Sequence, residues 1–421
     1  MGAPRLHRLA NGVTVICDPM PSLESFALSV VAGRGARLEP ESKSGWSHLL
    51  EHMVFKGAGD RSALDIVEAI EGQGGSINAA TGHERTSFQV RGLKGALELA
   101  SATAADLVLR PTLDARELER EKQVVAQEIA EAADTPDDQV FELAQAAAFA
   151  GHPLGRPILG EVETVAAAES ATLEAWRAGV YAPDRLVVSA AGAVDEDELL
   201  RLAEAGFGAA AGDPLPPPEP ARFVGGLKPV ARRLEQAHLV LLLPAPGARD
   251  QDYFALRLFA EALGGGMSSR LFQEAREKRG LAYSIDAWAD AYSDTGLLGI
   301  YAGAAPGKAA ELARVAAAQI IELAGRIGEA ELDRAKAQLK GHMFMAREAP
   351  LVRAEQAAGQ ALLFGRLLPA AELAALIDAV TPADVARLGA RLLAPGACVA
   401  AVLGPKPALA AAESFRSALL Q

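Results

Sequence analysis

Hydrophobic and polar residues alternate along several short stretches of the chain, and this period of two predicts β-strands. In the first half, the predicted strands lie at residues 13–17, 25–31, 76–80, 86–90 and 186–192. Segments with apolar residues at three- and four-residue spacing lie between these strands and predict helices. The predicted helices of this half lie at residues 43–56, 95–109 and 114–133.

The second half of the chain repeats this order of strands and helices. Its predicted strands lie at residues 238–243, 282–289, 295–303 and 398–403. Its predicted helices lie at residues 251–263, 308–326 and 329–347. Because a repeated order indicates duplication, we expect an α+β fold of two duplicated domains, each a mixed, mostly antiparallel sheet covered by helices.

A proline-rich segment separates the two halves. Residues 209–222 read AAAGDPLPPPEPAR and contain five prolines, with little that could pack in a core. Such a composition is typical of an interdomain linker. We therefore expect a first domain at residues 1–210, a linker at 211–227 and a second domain at 228–421.

The composition is that of a globular protein, because half of the 421 residues are hydrophobic and 23% are charged. The net charge is −13 and the basic residues form no cluster, which argues against a nucleic acid or an anionic membrane as partner. No apolar run approaches the roughly 20 residues of a membrane span, and the N-terminus lacks the apolar stretch of a signal peptide.

The two cysteines, Cys17 and Cys398, both lie in apolar strand-like segments far apart in the sequence. This placement favours buried thiols in a reducing compartment. We expect a cytoplasmic protein, with the periplasm or the mitochondrial matrix as alternatives if a targeting peptide has been removed.

The helix predicted at residues 43–56 carries the sequence HLLEH, with His48, Glu51 and His52 within five positions. Residues four apart on a helix share a face, so the two imidazoles can converge on one ion. H-x-x-E-H is the inverted zinc-peptidase signature, in which the glutamate flanks the reacting water. So short a motif also arises by chance, with histidines in ordinary hydrogen bonds, and a third ligand is needed to decide.

The helix at residues 114–133 supplies the candidate third ligand. Apolar and acidic residues share one stripe of this helix at a 3-4-3-4 spacing: Leu118, Glu121, Val125, Glu128 and Ala132. A carboxylate buried without a partner is costly, whereas one that binds a cation is not. Catalytic zinc sites use three protein ligands and keep one open position. A glutamate of this stripe would be the third ligand, beside the two histidines of HLLEH.

These motifs closely resemble those of the pitrilysin or insulinase family of inverzincin metallopeptidases, especially its half-length members similar to mitochondrial processing peptidase. The residues that carry the resemblance are HLLEH at 48–52 and VVAQEIAEAADTPDD at 124–138, and the likeness extends over essentially the whole chain. It implies that His48, His52 and Glu128 bind one Zn²⁺ per chain and that Glu51 is the general base. It also implies that Glu121 supports the site, by orienting His52 or by binding the departing amine.

Two further segments resemble the substrate-binding parts of the same family. The stretch GGSINAATGHERTSFQV resembles its substrate-binding edge strand, which implies that Asn78, Ala79 and Ala80 bind the peptide. The alternative is that Asn78 is a turn or strand-end residue. In the second half, Arg276 and Tyr283 resemble a pair that reaches the substrate, the arginine at a carbonyl and the tyrosine at the oxyanion.

The second half lacks the metal motif. Aligning Gly57 with Gly265 places Leu256, Phe259 and Ala260 where the two histidines and the glutamate stand in the first half. We therefore expect the second domain to be an inactive repeat that forms a substrate wall and a dimer cover.

The resemblance implies a zinc endopeptidase or oligopeptidase that hydrolyses short or unfolded peptides inside a dimer cavity. One chain carries both the metal motif and the Arg/Tyr pair, so a homodimer is expected, with a heterodimer with an Arg/Tyr-bearing homologous subunit as the second possibility. The alternative function is a non-catalytic scaffold or partner subunit of the same fold, similar to respiratory-complex core proteins.

Overall fold

A computed structural model of the chain describes residues 4–213 and 215–420. Pro214 of the expected linker lies outside the described residues, as do residues 1–3 and 421. The chain divides into two compact units, each built from three segments, whereas the sequence predicted two contiguous domains. The first unit comprises Met1–Ala130, Pro157–Glu219 and Phe344–Pro369; the second comprises Glu131–Arg156, Pro220–Met343 and Ala370–Gln421.

The first unit contains a six-stranded sheet in the order β1-β2-β8-β3-β7-β6. Its strands, with the short β4/β5 pair, are β1 (Arg5–Arg8), β2 (Thr14–Pro19), β3 (Ser25–Ala32), β4 (Gly57–Ala58), β5 (Arg61–Ser62), β6 (Ser76–Thr81), β7 (Thr86–Leu93) and β8 (Leu186–Gly192). Strands β2 and β8 are parallel, and the other pairs of this sheet are antiparallel. Strand β6 therefore forms one edge of the sheet.

Helices cover both faces of this sheet, and its central strands β3 and β8 are therefore buried on both sides. The helices are α1 (Trp46–Val54), α2 (Ala63–Glu71), α3 (Leu97–Leu109), α4 (Ala115–Asp134), α6 (Val162–Ala166), α7 (Ser170–Val180), α8 (Glu196–Phe207) and α12 (Pro350–Phe364). Helices α1, α3 and α8 pack on one face of the sheet and form the main hydrophobic core of this unit with it. Helix α12 packs on the opposite face.

The second unit contains a five-stranded sheet in the order β11-β12-β10-β13-β9. Its elements are β9 (Gly226–Ala231), β10 (Ala237–Ala245), β11 (Ala282–Ala291), β12 (Gly296–Ala304), β13 (Val399–Gly404), α5 (Pro136–Ala148), α9 (Tyr253–Gly264), α10 (Ala309–Gly325), α11 (Glu329–Ala346), α13 (Ala370–Ala379), α14 (Pro382–Leu393) and α15 (Ala410–Leu419). Only β9 and β13 pair in parallel among these described strands. Helix α5 packs on one face of the sheet, and α9, α10, α14 and α15 share the core on the other face.

The predicted mixed α+β architecture is confirmed, and the predicted strands and helices agree with the structure within a few residues. Several helices were not predicted, among them α5 and α12, which each pack on a sheet. Both begin at a proline, which ends a preceding helix but also fits the first turn of a new one. Within the described part of the chain, no helix has the length and apolar character that a bilayer crossing requires.

Candidate metal centre

Helix α1 carries the HLLEH motif, and its start is defined by two residues. Gly45 has a φ of 89°, and a Cβ there would lie 2.5 Å from the Leu159 carbonyl oxygen, so the position requires glycine. The buried Glu39 carboxylate accepts hydrogen bonds from the backbone N–H groups of Gly45 and Ser47, at 2.8 and 2.6 Å. Glu39 therefore caps the helix that carries the motif. The sequence analysis did not identify this role, because Glu39 lies several residues before the start of the helix.

The two histidines share one side of α1, with ring centroids 4.6 Å apart. Leu49, Leu50 and Met53 of the same helix are fully buried in the core of the first unit. Because these side chains fix the rotation of the helix, His48 and His52 lie together on its other, half-buried side.

Helix α4 places Glu128 beside both imidazoles. Its Oε2 lies 3.8 Å from Nε2 of His48 and 3.5 Å from Nε2 of His52. Ligand atoms of these three residues all lie within 4.8 Å of one another. Leu118 and Val125 of the same stripe are buried, so the helical face expected from the spacing is the face that meets α1.

The donor set fits a divalent cation such as Zn²⁺. Burial, together with the neighbouring His52 ring, lowers the pKa of His48 to about 4, so this imidazole is neutral near pH 7. Glu128 Oε2 is buried without a hydrogen-bond donor among the described residues. Two neutral imidazoles and one carboxylate are a common zinc donor set, and a cation would stabilise the buried carboxylate oxygen.

Glu121 is 5% exposed and contacts two side chains. Its Oε2 lies 3.1 Å from Nδ1 of His52, and its Oε1 lies 2.6 Å from Nζ of Lys56. A carboxylate can only accept, so Nδ1–H of His52 donates this hydrogen bond, and Nε2 of the same ring faces Glu128. The contact corresponds to the orienting role among the two roles that the sequence left open for Glu121.

Glu51 lies on the same helix, which the Thr81 hydroxyl at the end of strand β6 contacts at the Ser47 carbonyl oxygen, 3.5 Å away. Burial raises the pKa of its carboxyl group, and hydrogen bonds from the Thr81 side chain and backbone oppose this rise. The second oxygen, Oε2, is buried and has no hydrogen-bond partner among the described residues. Thr81, which the sequence analysis did not identify, thus links the candidate base to the edge strand.

Strand β6 carries Asn78, Ala79 and Ala80 and pairs with β7 on one side. Asn78 lies opposite Gln89 inside the paired strand rather than in a turn. The Ala79 side chain is buried in the core, whereas Asn78 and Ala80 are exposed. In the described part of the chain, no strand pairs with the other side of β6, so its backbone can accept an additional strand.

Arg276 and Tyr283 belong to the second unit, whereas the metal group belongs to the first. Arg276 lies on a short π-helical turn at Phe272–Glu277, with its guanidinium 4.7 Å from the centroid of the Phe272 ring. Tyr283 lies at the start of β11 and is 62% exposed. Both side chains can therefore reach a ligand outside their own unit's core.

The second unit shows no comparable metal group among the residues that the structure describes. On α9, the residues that align with the motif are buried apolar side chains: Leu256, Phe259 and Ala260. This helix is a core helix of the second unit.

The chain is similar to known sequences over most of its length. It matches the Insulinase (Peptidase family M16) domain over residues 14–162 and the Peptidase M16 inactive domain over residues 168–339. An uncharacterized zinc protease of Mycobacterium tuberculosis is 37% identical over 411 residues, covering 96% of this chain and 93% of the relative. An uncharacterized zinc protease of Bacillus subtilis is 34% identical over 359 residues, covering 85% and 87%.

Two solved structures share the fold at lower sequence identity. A protease from Helicobacter pylori has a TM-score of 0.90 at 22% identity, covering 96% of this chain and 99% of that one. A chain of complex III2 from Candida albicans has a TM-score of 0.85 at 22% identity, covering 99% of both chains. At this identity the likeness concerns the fold alone.

Proposed function

The chain belongs to the insulinase family, peptidase family M16, and from this membership we propose that it is a zinc-dependent endopeptidase or oligopeptidase acting on short or unfolded peptides. The convergence of His48, His52 and Glu128 on one point supports the proposal most directly. Relatives that are named zinc proteases and cover almost the whole chain support it independently.

The residues that would hold one Zn²⁺ are His48 and His52, through their Nε2 atoms, and Glu128, through Oε2. A zinc ion bound there would supply Lewis-acid activation of water and of the scissile carbonyl. Glu121 holds His52 through Nδ1 and thereby keeps its Nε2 atom directed to the centre.

Glu51 is proposed as the general base. It would take the proton of the attacking water and deliver it to the leaving nitrogen, which is the usual exchange between base and acid roles in hydrolysis. Its burial raises the pKa of the carboxyl group, which brings this value closer to neutral pH and favours both halves of the transfer. Thr81, at the end of β6, lies beside helix α1, with its hydroxyl 3.5 Å from the Ser47 carbonyl oxygen.

The peptide is proposed to bind along the unpaired edge of β6, near Asn78, Ala79 and Ala80. Added as an extra strand, it would form main-chain hydrogen bonds that make few demands on its side chains. Arg276 and Tyr283 would contact the substrate carbonyl and the oxyanion. In a homodimer, the second unit of one subunit would supply this pair to the first unit of the other.

A non-catalytic scaffold is the second candidate, since a chain of complex III2 shares the fold. The neutral imidazole of His48 and the buried Glu128 oxygen favour the enzyme, because a scaffold has no need of such a group. We place the enzyme in a reducing compartment, by proposal the cytoplasm, since Cys17 and Cys398 are buried free thiols.

The test compares zinc content and peptide hydrolysis in the wild type, Glu51→Gln and Glu128→Gln. Glu51→Gln is expected to retain zinc and to lose turnover by roughly 10²- to 10⁴-fold, because it removes a base and no ligand. Glu128→Gln is expected to lose both. Glu119→Gln, on the exposed side of α4, is the matched control and keeps both.

Wild-type zinc content without hydrolysis of an unstructured peptide library would favour the scaffold. Full turnover in Glu51→Gln would remove this residue as the base, and full zinc occupancy in Glu128→Gln would move the third ligand elsewhere.

A further inference from the structure

A row of polar side chains crosses the first sheet to its edge strand β6, on the face that α12 covers. Gln89 on β7 lies directly opposite Ser29 on β3 and directly opposite Asn78 on β6. Side chains of such opposite residues share a face of the sheet, with Cβ atoms about 4.5–5.5 Å apart. The row therefore ends at Asn78, on the edge where the peptide is proposed to bind.

Glu355 of α12 lies on this row and determines the orientation of the Gln89 amide. Its carboxylate accepts hydrogen bonds from the Ser29 hydroxyl and, at 3.3 Å, from Nε2 of Gln89. Nε2 of Gln89 also donates to Oγ of Ser87 at 3.3 Å. A carboxylate can only accept, so the amide nitrogen of Gln89 must face Glu355. The amide oxygen, Oε1, has no donor among the described residues and is free to accept.

Contacts on both sides of Glu355 hold this part of α12 against the sheet. The buried Arg353 guanidinium forms two hydrogen bonds of 2.6 Å to Asp18, and Ala357 and Ala358 pack in the apolar cluster under the helix. Glu355 is partly buried and pairs with no lysine or arginine among the described residues. A partly buried charge is costly unless it is hydrogen-bonded, and the donors of Glu355 are the neutral side chains of the row.

We propose that Glu355 and Gln89 are positioning residues for the peptide-binding edge: Glu355 orients Gln89, and Oε1 of Gln89 accepts a hydrogen bond from Nδ2 of Asn78. The Asn78 side chain is exposed and has no other hydrogen-bond partner among the described residues. With Nδ2 held by Gln89, Oδ1 of Asn78 is left to accept from a main-chain N–H of the peptide. The inference rests on the proposed binding of the peptide along β6.

The first test is Gln89→Met, which keeps the length of the side chain and removes its amide. KM for a fluorogenic peptide from the unstructured library is expected to rise about three- to tenfold, the range typical of one neutral hydrogen bond. The turnover number and the zinc content should stay unchanged, because the lost contact binds substrate and transition state equally. Gln356→Met, on α12, whose Oε1 accepts from Arg347 at 3.5 Å, is the matched control. An unchanged KM in Gln89→Met, or a loss of turnover that parallels a loss of zinc, would overturn the proposal.

The second test asks whether Gln89 acts through Asn78. KM is measured for Gln89→Met, Asn78→Ala and the double variant as a double-mutant cycle. If Gln89 positions Asn78, Gln89→Met raises KM when Asn78 is present and leaves it unchanged in the Asn78→Ala background. A merely structural role of Gln89 would raise KM equally in both backgrounds, and this result would overturn the proposal.

Glu355→Gln tests the other end of the row. This variant keeps the shape of the side chain, but its amide can also donate, so Gln89 is no longer held in one orientation. KM should rise, by less than in Gln89→Met, and should not rise further when the two changes are combined. An unchanged KM in Glu355→Gln would overturn the role of Glu355.

The proposed function and this inference can fail separately. If the wild type hydrolyses peptides and Glu51→Gln does not, the enzymatic function stands, and the cycle of Gln89 and Asn78 alone decides the positioning role. If the wild type hydrolyses no peptide, the enzymatic function fails. The same cycle is then applied to the Kd of fluorescein-labelled library peptides, measured by fluorescence anisotropy with the metal-free protein. An absence of binding there would remove β6 as a peptide site and overturn the inference as well.

Discussion

Helices α1 and α9 occupy corresponding places in the two units but present different faces. Each packs against the edge strand of its own sheet, α1 on β6 and α9 on β11. Helix α1 presents His48 and His52 beside a carboxylate, whereas α9 buries Leu256 and Phe259 completely. The same arrangement of a helix on an edge strand therefore contains apolar core side chains in the second unit and two histidines beside a carboxylate in the first.

Helices α4 and α11 continue this contrast. Helix α11 turns Leu332, Ala335 and Leu339 into the core of the second unit. Helix α4 buries Glu121 within its apolar stripe, where Lys56 and His52 are its partners. A buried carboxylate is tolerated when such partners are present, so the metal group requires supporting residues that the second unit can omit.

The two sheets also differ on their other face, where the first unit uses a charged pair and the second unit uses apolar contacts. On the first sheet, α12 is held by Arg353, whose buried guanidinium forms two hydrogen bonds of 2.6 Å to the buried Asp18. On the second sheet, α5 packs Val140 and Ala144 into an apolar cluster. A charged pair and an apolar contact thus perform the same task of covering a sheet.

The largest effect is expected from breaking the charged pair under α12. Arg353→Met should lower the free energy of unfolding by about 3–5 kcal/mol, because Asp18 would remain as a buried charge without its partner. Denaturant unfolding would measure this loss. The double variant Asp18→Leu/Arg353→Leu, which removes both charges, should be close to the wild type, and an equally large loss there would show that packing rather than charge holds α12.

A smaller effect is expected from giving α9 a polar residue of the α1 kind. Leu256→His should cost about 2–3 kcal/mol, because an apolar side chain is lost and an imidazole is buried among apolar neighbours. Zinc content should equal that of the wild type, as measured by elemental analysis. Leu256→Met is the volume-conserving control and should cost less than about 1.5 kcal/mol; a second bound zinc in Leu256→His would contradict the comparison.

The smallest effect is expected from removing a side chain that contacts Glu121, the partner of the candidate metal ligand His52. Lys56→Met leaves Glu121 with His52 as its partner, and zinc affinity should fall roughly tenfold, the lower end for loss of an outer hydrogen-bond partner. Competition with a chromogenic chelator would measure the affinity. Lys278→Met, which removes an exposed pair with Glu274 in the second unit, should leave it unchanged. Equal affinities in all three proteins would mean that Lys56 does not act on the metal group.

The sequence alone determined which faces of α1 and α4 carry the candidate metal ligands. A helical period assigns His48 and His52 to one side of α1 and assigns Glu121 and Glu128 to the buried stripe of α4. Periodicity indicates which side of a helix or strand is buried. This information is local, so it can be obtained from the sequence without knowledge of the fold. The alignment of Gly57 with Gly265 identified the corresponding positions of α9 as apolar.

Only the tertiary structure decided which side chains support that centre and which helix covers each sheet. Glu39 reaches α1 from the loop before it and Thr81 reaches α1 from a strand end, and no local period marks such contacts. Helices α5 and α12 are assigned to a sheet by burial of apolar area and by one ion pair. These choices depend on distances between segments far apart in the chain, which exist only once the core has packed.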